Sequence, residues 1–178
     1  KTTAILREIA ALSEKGEGRQ ILLVPELNSH LMERRLAAAT HNHGARTAEV
    51  LTFSRLADRV FSEVGGLAQQ MLTPAGQLLT LQGGLSAWKG LADKPELLQE
   101  ALRLIDECKT CAVAPETLFA AAEESEDAVL AEKLSDLAQI LTAYERLCEE
   151  SLPDPRDRLT HLRDRLAESH TLDGAAVY

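Results

Sequence analysis

Apolar residues recur along this chain with two different periods, and the change from one to the other divides it. Ile5, Ile9 and Leu12 fall at helical spacing, and Gly16 and Gly18 close the pattern, which predicts an opening helix. Gln20 to Val24 is then a short, nearly unbroken apolar run ended by Pro25. Such a run suits a parallel strand covered on both faces. Asn28 is placed to cap a helix running to Thr40, and His41-Asn42-His43-Gly44 reads as a loop. Thr47 to Leu51 predicts a second strand, and Ser54 is placed to cap a helix ending at Gly65-Gly66.

Downstream the texture is helical. Thr73-Pro74 pairs a capping residue with proline at the first helical position. Asp93 to Ala112 predicts a helix with Leu98, Leu102, Ile105 and Cys108 on one face, and Ala114-Pro115-Glu116 begins a short one. Leu130, Leu134, Leu137, Leu141, Tyr144 and Cys148 step by four and three, marking a long amphipathic helix. Asp154-Pro155 opens a last helix carrying Leu159, Leu162 and Leu166. Asp173-Gly174 then turns the chain into a third strand, Ala175 to Tyr178. Residues 1–66 and 173–178 therefore read as α/β, with 67–172 an all-helical insertion.

Composition sharpens this picture. Hydrophobic residues make up 45% of the 178 residues, enough for a buried core, but only 3% are aromatic, so Leu, Ile, Val and Ala must fill it. That balance favours helices over a β-sandwich. Three cysteines, Cys108, Cys111 and Cys148, are too few and odd in number for a disulfide-stapled secreted domain and suit a reducing cytoplasm. No run of 18 apolar residues and no charged-then-apolar leader occurs, so neither membrane spanning nor secretion is expected. Nineteen basic against 28 acidic residues leave a net charge of −9, the wrong sign for DNA binding by bulk electrostatics. Any nucleic-acid role must rest on a local site or on a partner.

Three segments could carry chemistry. Lys1-Thr2-Thr3 stands at the start of a helix. In a phosphate-binding loop the terminal Lys reaches the β and γ phosphates, the next hydroxyl binds Mg²⁺, and the helix N-terminus adds partial positive charge. The tripeptide alone reads first as an ordinary polar first turn; what favours the phosphate reading is the helix–strand–helix–strand order that follows, which fits a parallel nucleotide-binding sheet. The other two segments, residues 21–36 and 50–66, place polar residues just past a strand's carboxyl end, where open α/β sheets bind ligands. The remaining candidates have plainer accounts. Cys108-x-x-Cys111 lies in a helix without a second ligand pair. His41 and His43 flank Asn42 in a turn, and Glu123, Glu124, Glu126 and Asp127 form a solvated junction. Arg156, Arg158, Arg163 and Arg165 either pair with Asp154, Asp157 and Asp164 or approach DNA or a partner, with internal pairing favoured.

Taken together, KTT, ILLVPELNSHLMERRL, VLTFSRLADRVFSEVGG and the closing GAAVY resemble the amino-terminal region of the AddB family of bacterial helicase–nuclease subunits. The similarity runs on through PETL and LAEKLSDLAQILTAYE in the insertion, and VPE followed by MERRL is its most specific part. The resemblance implies a P-loop NTPase (RecA-like) helicase domain 1A fragment with parallel strands and a helical 1B-like insertion. It implies that Lys1, Thr2 and Thr3 meet nucleotide, with Thr2 on Mg²⁺, so that ATP and Mg²⁺ are the cofactors of the intact protein. Glu26, Leu27, Asn28 and Ser29 after one strand, and Thr52, Phe53, Ser54 and Arg55 after the next, would lie along single-stranded DNA. The Thr52 and Ser54 hydroxyls and the Arg55 guanidinium suit phosphates. Phe53 either stacks on a base or plugs the sheet, with core packing favoured, and Glu26 is expected to accept backbone hydrogen bonds rather than move protons.

The resemblance further implies an AddA-like partner subunit that unwinds DNA, recognition of regulatory Chi sequences, single- and double-stranded DNA as substrates, and a cytoplasmic setting. The family's nuclease and iron–sulfur cluster belong to a distant carboxyl-terminal part. Residues upstream of Lys1 supplying the glycine loop and its strand, and a metal-side carboxylate region following Tyr178, are expected in the intact protein. The chain alone is accordingly expected to lack ATPase, helicase and nuclease activity. The rival from another class is a helical scaffold or interaction module that binds no nucleotide. A complete small P-loop kinase fits less well, because no second carboxylate cluster ends a strand.

Overall fold

The computed structural model describes residues 1–41, 47–85 and 94–178. Its central strand, β1 (Arg19–Val24), pairs in parallel with β2 (Ala48–Thr52) on one side and β3 (Ala175–Val177) on the other, giving the order β2-β1-β3. The register sets Val24 opposite Thr52 and Ile21 opposite Val177, so all three strands run toward one edge. Alternation along β1 decides which helix covers which face. Leu22 and Val24 pack with Leu6 and Ile9 of α1 (Thr2–Lys15) and Leu36 of α2 (Ser29–Ala39). Ile21 packs on the opposite face with Leu56, Ala57, Val60 and Phe61 of α3 (Phe53–Val64) and with Leu162. The expected strand covered on both faces is thus present, and the fold is α/β.

Local signals end these elements where expected, with two differences. Gly16 terminates α1 at φ 68, a left-handed conformation that carries no Cβ penalty in glycine, and its N–H reaches the carbonyls of Leu12 and Ser13. Asn28, however, makes no capping bond with its side chain; a 3-10 turn, Glu26–Asn28, separates β1 from α2 instead. And α3 is capped by Thr52 rather than Ser54, since the Thr52 hydroxyl accepts from the Arg55 N–H. Of the predicted loop, Asn42, His43 and Gly44 lie outside the described residues, as does Asp93 at the predicted start of a later helix.

The chain divides into two compact units, residues 1–68 with 161–178, and residues 69–160. The second is built from α4 (Pro74–Gly84), α5 (Pro95–Thr110), α6 (Pro115–Glu124) and α7 (Ala128–Glu150). Leu81, Ile105, Leu118, Leu141 and Tyr144 form its core. Along α7, Leu141, Tyr144 and Cys148 are buried as the spacing requires, Leu134 and Leu137 partly so, and Leu130 is exposed. The last predicted helix is broken into a 3-10 turn (Pro155–Asp157), α8 (Arg158–Arg165) and a second 3-10 turn (Leu166–Glu168). Only Leu162 of its leucines is buried; Leu159 faces solvent.

One polar group lies deep in the helical unit. Asp154 is fully buried (0% exposed) and accepts from Gln77 Nε2 at 2.9 Å, Tyr144 Oη at 2.8 Å and the Arg156 N–H at 2.9 Å. These bonds are what make a buried carboxylate tolerable. The Arg156 guanidinium approaches it at 3.6 Å and is also held by Asp106, while Lys109 takes Asp157 at 2.6 Å. The arginine patch is therefore paired within the chain, Arg163 with Asp164 and Arg165 with Glu168, although Arg156 and Asp157 also find partners distant in sequence.

Candidate functional site

The carboxyl edge of the sheet collects the predicted segments. A short turn at Gly16–Gly18 reverses the chain between α1 and β1, so α1 runs back along the strand it packs on. At about 1.5 Å per helical residue and 3.3 Å per strand residue the two are nearly equal in length, which brings the α1 N-terminus to the same edge as Val24 and Thr52. Lys1, Thr2 and Thr3 are all exposed there, and Lys1 occupies the cap position without a side-chain capping bond.

The two strand-end loops are tied to each other. Glu26 Oε1 accepts from the Ser54 N–H at 3.3 Å, crossing from the loop after β1 to the first turn of α3. Hydrogen bonds from Ser54 and then Thr52 hold the Glu26 carboxyl below its ordinary range. A carboxylate at a helix N-terminus is favoured by the unpaired N–H groups there, so Glu26 does accept a backbone hydrogen bond. Thr52 is only 1% exposed, and its hydroxyl is used as the α3 cap; it shapes the loop from inside rather than facing a ligand. Ser29 is likewise buried, whereas Asn28 and Ser54 are exposed.

What the edge presents to solvent is apolar. Leu27 is 99% exposed and Phe53 48%, with Leu31 exposed one turn into α2. The favoured expectation that Phe53 plugs the sheet is wrong: as first residue of α3, after the Thr52 cap, it falls on the outward side, and Leu56, Ala57 and Val60 take the core positions. Arg55 is not free either. Its guanidinium meets Glu33 Oε1 of α2 at 2.5 Å, and His30 Nδ1 stands 3.3 Å from the other oxygen. Arg55, ahead of smaller contributions, keeps the Glu33 carboxyl below the ordinary range. Sequence reasoning missed Glu33 altogether, because the pairing joins helices on either side of β2 and leaves no short-range signal. Leu27, placed in the post-strand loop by the sequence reading, is fully open to solvent.

The other candidates are structural. Cys108 is buried in the helical core, which pushes its thiol upward, and Cys111 caps α5 in solvent. Asp127 caps α7, accepting from Val129 and Leu130. Among the described residues no His, Cys, Asp and Glu group has metal-binding geometry, and no helix is long and apolar enough to cross a membrane.

The family model described as ADDB, N-terminal, matches residues 1–178. The chain is also similar to bacterial proteins whose names make each of them one subunit of an ATP-dependent helicase/deoxyribonuclease. It is 32% identical over 177 residues to that of Clostridium tetani, covering 94% of this chain and 15% of the relative. It is 33% identical to that of Acetivibrio thermocellus, covering 100% and 16%, and 34% identical to that of Symbiobacterium thermophilum, covering 89% and 15%. The chain thus spans about one sixth of the length of the curated relatives it matches.

Proposed function

The chain belongs to the AddB N-terminal family, and we propose that within an ATP-dependent helicase/deoxyribonuclease its sheet edge contacts single-stranded DNA. The observation that carries this is the pair of large apolar side chains, Phe53 and Leu27, standing in solvent on two loops that the Glu26–Ser54 bond holds together. An exposed aromatic on a rigid loop is a stacking platform for a base, sequence-tolerant because every base has a π-face. Ser54 and Asn28 beside them offer polar contacts to the backbone. Arg55 reaches a phosphate by exchanging it for Glu33.

The finer reading assigns this unit to a RecA-like P-loop helicase domain. Lys1 would take the β and γ phosphates of ATP, and Thr2 the Mg²⁺, at the exposed α1 N-terminus that shares the edge with the DNA loops. An AddA-like subunit is the proposed partner, in the bacterial cytoplasm, with Chi recognition a property of the whole protein. The chain alone would turn over no ATP.

The second reading, a scaffold that holds no nucleotide or DNA, draws on the charge of −9. One experiment separates them. Single-stranded DNA bearing iodouracil, crosslinked to the intact protein with and without ATP and Mg²⁺, is expected to give an adduct at Phe53 whose yield ATP alters and Lys1→Ala makes insensitive to ATP. Adducts confined to other parts of the protein would leave the scaffold.

A further inference from the structure

The excess acid is not spread over the chain. Residues 69–160 carry eight Lys and Arg against seventeen Asp and Glu, which accounts for the entire −9, while the sheet unit has eleven of each. Among the described residues of this helical unit several large apolar side chains stand outside the core, Leu79, Val129 and Leu159 among them, and Phe119 is the aromatic one. Phe119 of α6 is 37% exposed and lines a groove of about 310 Å³ with Gln139, Thr142, Ala143 and Arg146 of α7. Pro115 and Leu118 are the residues by which α6 is buried, so the fold does not use the Phe119 ring in the same way.

Acid flanks Phe119 along α6. Glu116 and Glu123 lie three residues before and four after Phe119, hence on the same exposed face of α6. Neither has an ion-pair partner among the described residues. Arg146, the cation lining the groove, is engaged by Glu150 at 3.9 Å. A small apolar cleft with an aromatic wall, beside carboxylates on the same exposed helix face, is complementary to one kind of ligand, a helix with an apolar anchor flanked by Lys or Arg. Nucleic acid and anionic lipid carry the opposite charge to the one this surface attracts.

We infer that the α6–α7 groove is a protein-docking site for a basic amphipathic helix, with Phe119 as the apolar contact and Glu116 and Glu123 as the charge-reading carboxylates beside it. This goes beyond the DNA reading of the sheet edge and does not depend on it. In the intact complex the helical unit then serves polypeptide and the sheet unit serves DNA.

The test is fluorescence anisotropy of a lysine–leucine amphipathic helical peptide titrated with the intact protein. A scrambled peptide of the same composition and a single-stranded oligonucleotide are the comparison probes. The amphipathic peptide is expected to bind at least tenfold more tightly than the scrambled one. Phe119→Ala should weaken it by about thirtyfold, as loss of an interface anchor does. Glu116→Gln with Glu123→Gln should weaken it at low salt and flatten its salt dependence, while the control Glu96→Gln with Glu100→Gln on α5 should change it little. Equal binding of the scrambled peptide, or equal effects of the α5 control, would reduce the surface to diffuse charge and overturn the proposal. So would a Phe119→Ala variant that binds as wild type, or peptide binding too weak to detect. Circular dichroism of each variant checks that the helices are intact.

Discussion

At the scale of single residues, Glu33 holds the Arg55 guanidinium at 2.5 Å, and under the proposed DNA contact a phosphate would displace a carboxylate that exposed geometry holds only weakly. Glu33→Gln removes the competitor and leaves the amide isosteric. The expected result is DNA binding several-fold tighter at low salt, with the salt slope steeper by about one unit because one more cation is available. An unchanged affinity and slope in anisotropy titrations would take Arg55 out of the DNA path. The same carboxylates set the acid side of stability. Hydrogen bonds to Ser54 for Glu26, and Arg55 for Glu33, place both carboxyls below their ordinary value near 4.5 in the fold. They therefore bind protons less readily folded than unfolded, and what they contribute is present above pH 4.5 and lost as pH falls through the lowered values. His170 has the opposite sign: Asp173, then Glu63, raises it above 6.5, so its contribution is full below 6.5 and disappears as pH rises past the raised value. Thermal unfolding followed against pH should show both flanks, with the alkaline one removed by His170→Asn.

At the scale of elements, the helical unit hangs on one buried carboxylate. Asp154 ties the start of the 155–157 turn to α4 through Gln77 and to α7 through Tyr144. Burial and the Asp154 carboxylate together push the Tyr144 hydroxyl well above its ordinary value, so it remains a donor. Asp154→Ala leaves three donors, Gln77 Nε2, Tyr144 Oη and the Arg156 N–H, without their acceptor, and should cost about 3–5 kcal/mol. Tyr144→Phe loses one bond to a charged acceptor and should cost about 1.5–3 kcal/mol. Chemical denaturation of each variant measures both; equal, small losses would mean the network is incidental. This element was only half legible beforehand. Asp154-Pro155 is a capping signal that sequence displays plainly, and it did start a turn. That the same carboxylate is buried beneath Tyr144 and Gln77 depends on residues up to 77 positions away, which no local pattern encodes. The strands and most helix ends were readable because apolar runs, prolines and glycines act within a few residues. The α3 start slipped from Ser54 to Thr52 because either residue satisfies the local rule, and the packing of Leu56 and Val60 on the sheet selects one.

At the scale of the whole molecule, a single net charge hides two surfaces. Counted as one number, −9 argues against DNA; counted by unit, it falls wholly on residues 69–160 and leaves the sheet unit neutral. The sequence pattern sets the helical part at residues 67–172; in the fold the second unit is 69–160, and residues 161–178 join the unit that residues 1–68 begin. The site residues were legible to a similar extent. Family-like motifs marked the two loops, yet which side chains face outward was decided by the register of α3 against β2. A polar reading favoured Thr52, and the folded chain buries Thr52 and presents Phe53.

The most direct test of the proposed DNA surface is equilibrium binding of single-stranded DNA to the intact protein, with Phe53→Ala and Leu27→Ala compared with wild type at low and physiological salt. Loss of one stacking residue is worth about 1–3 kcal/mol, so Phe53→Ala should weaken binding by about fivefold or more at both salt concentrations, with Leu27→Ala adding to it and the salt slope unchanged. Wild-type affinity in both variants would contradict the account and leave the sheet edge without a role in holding DNA.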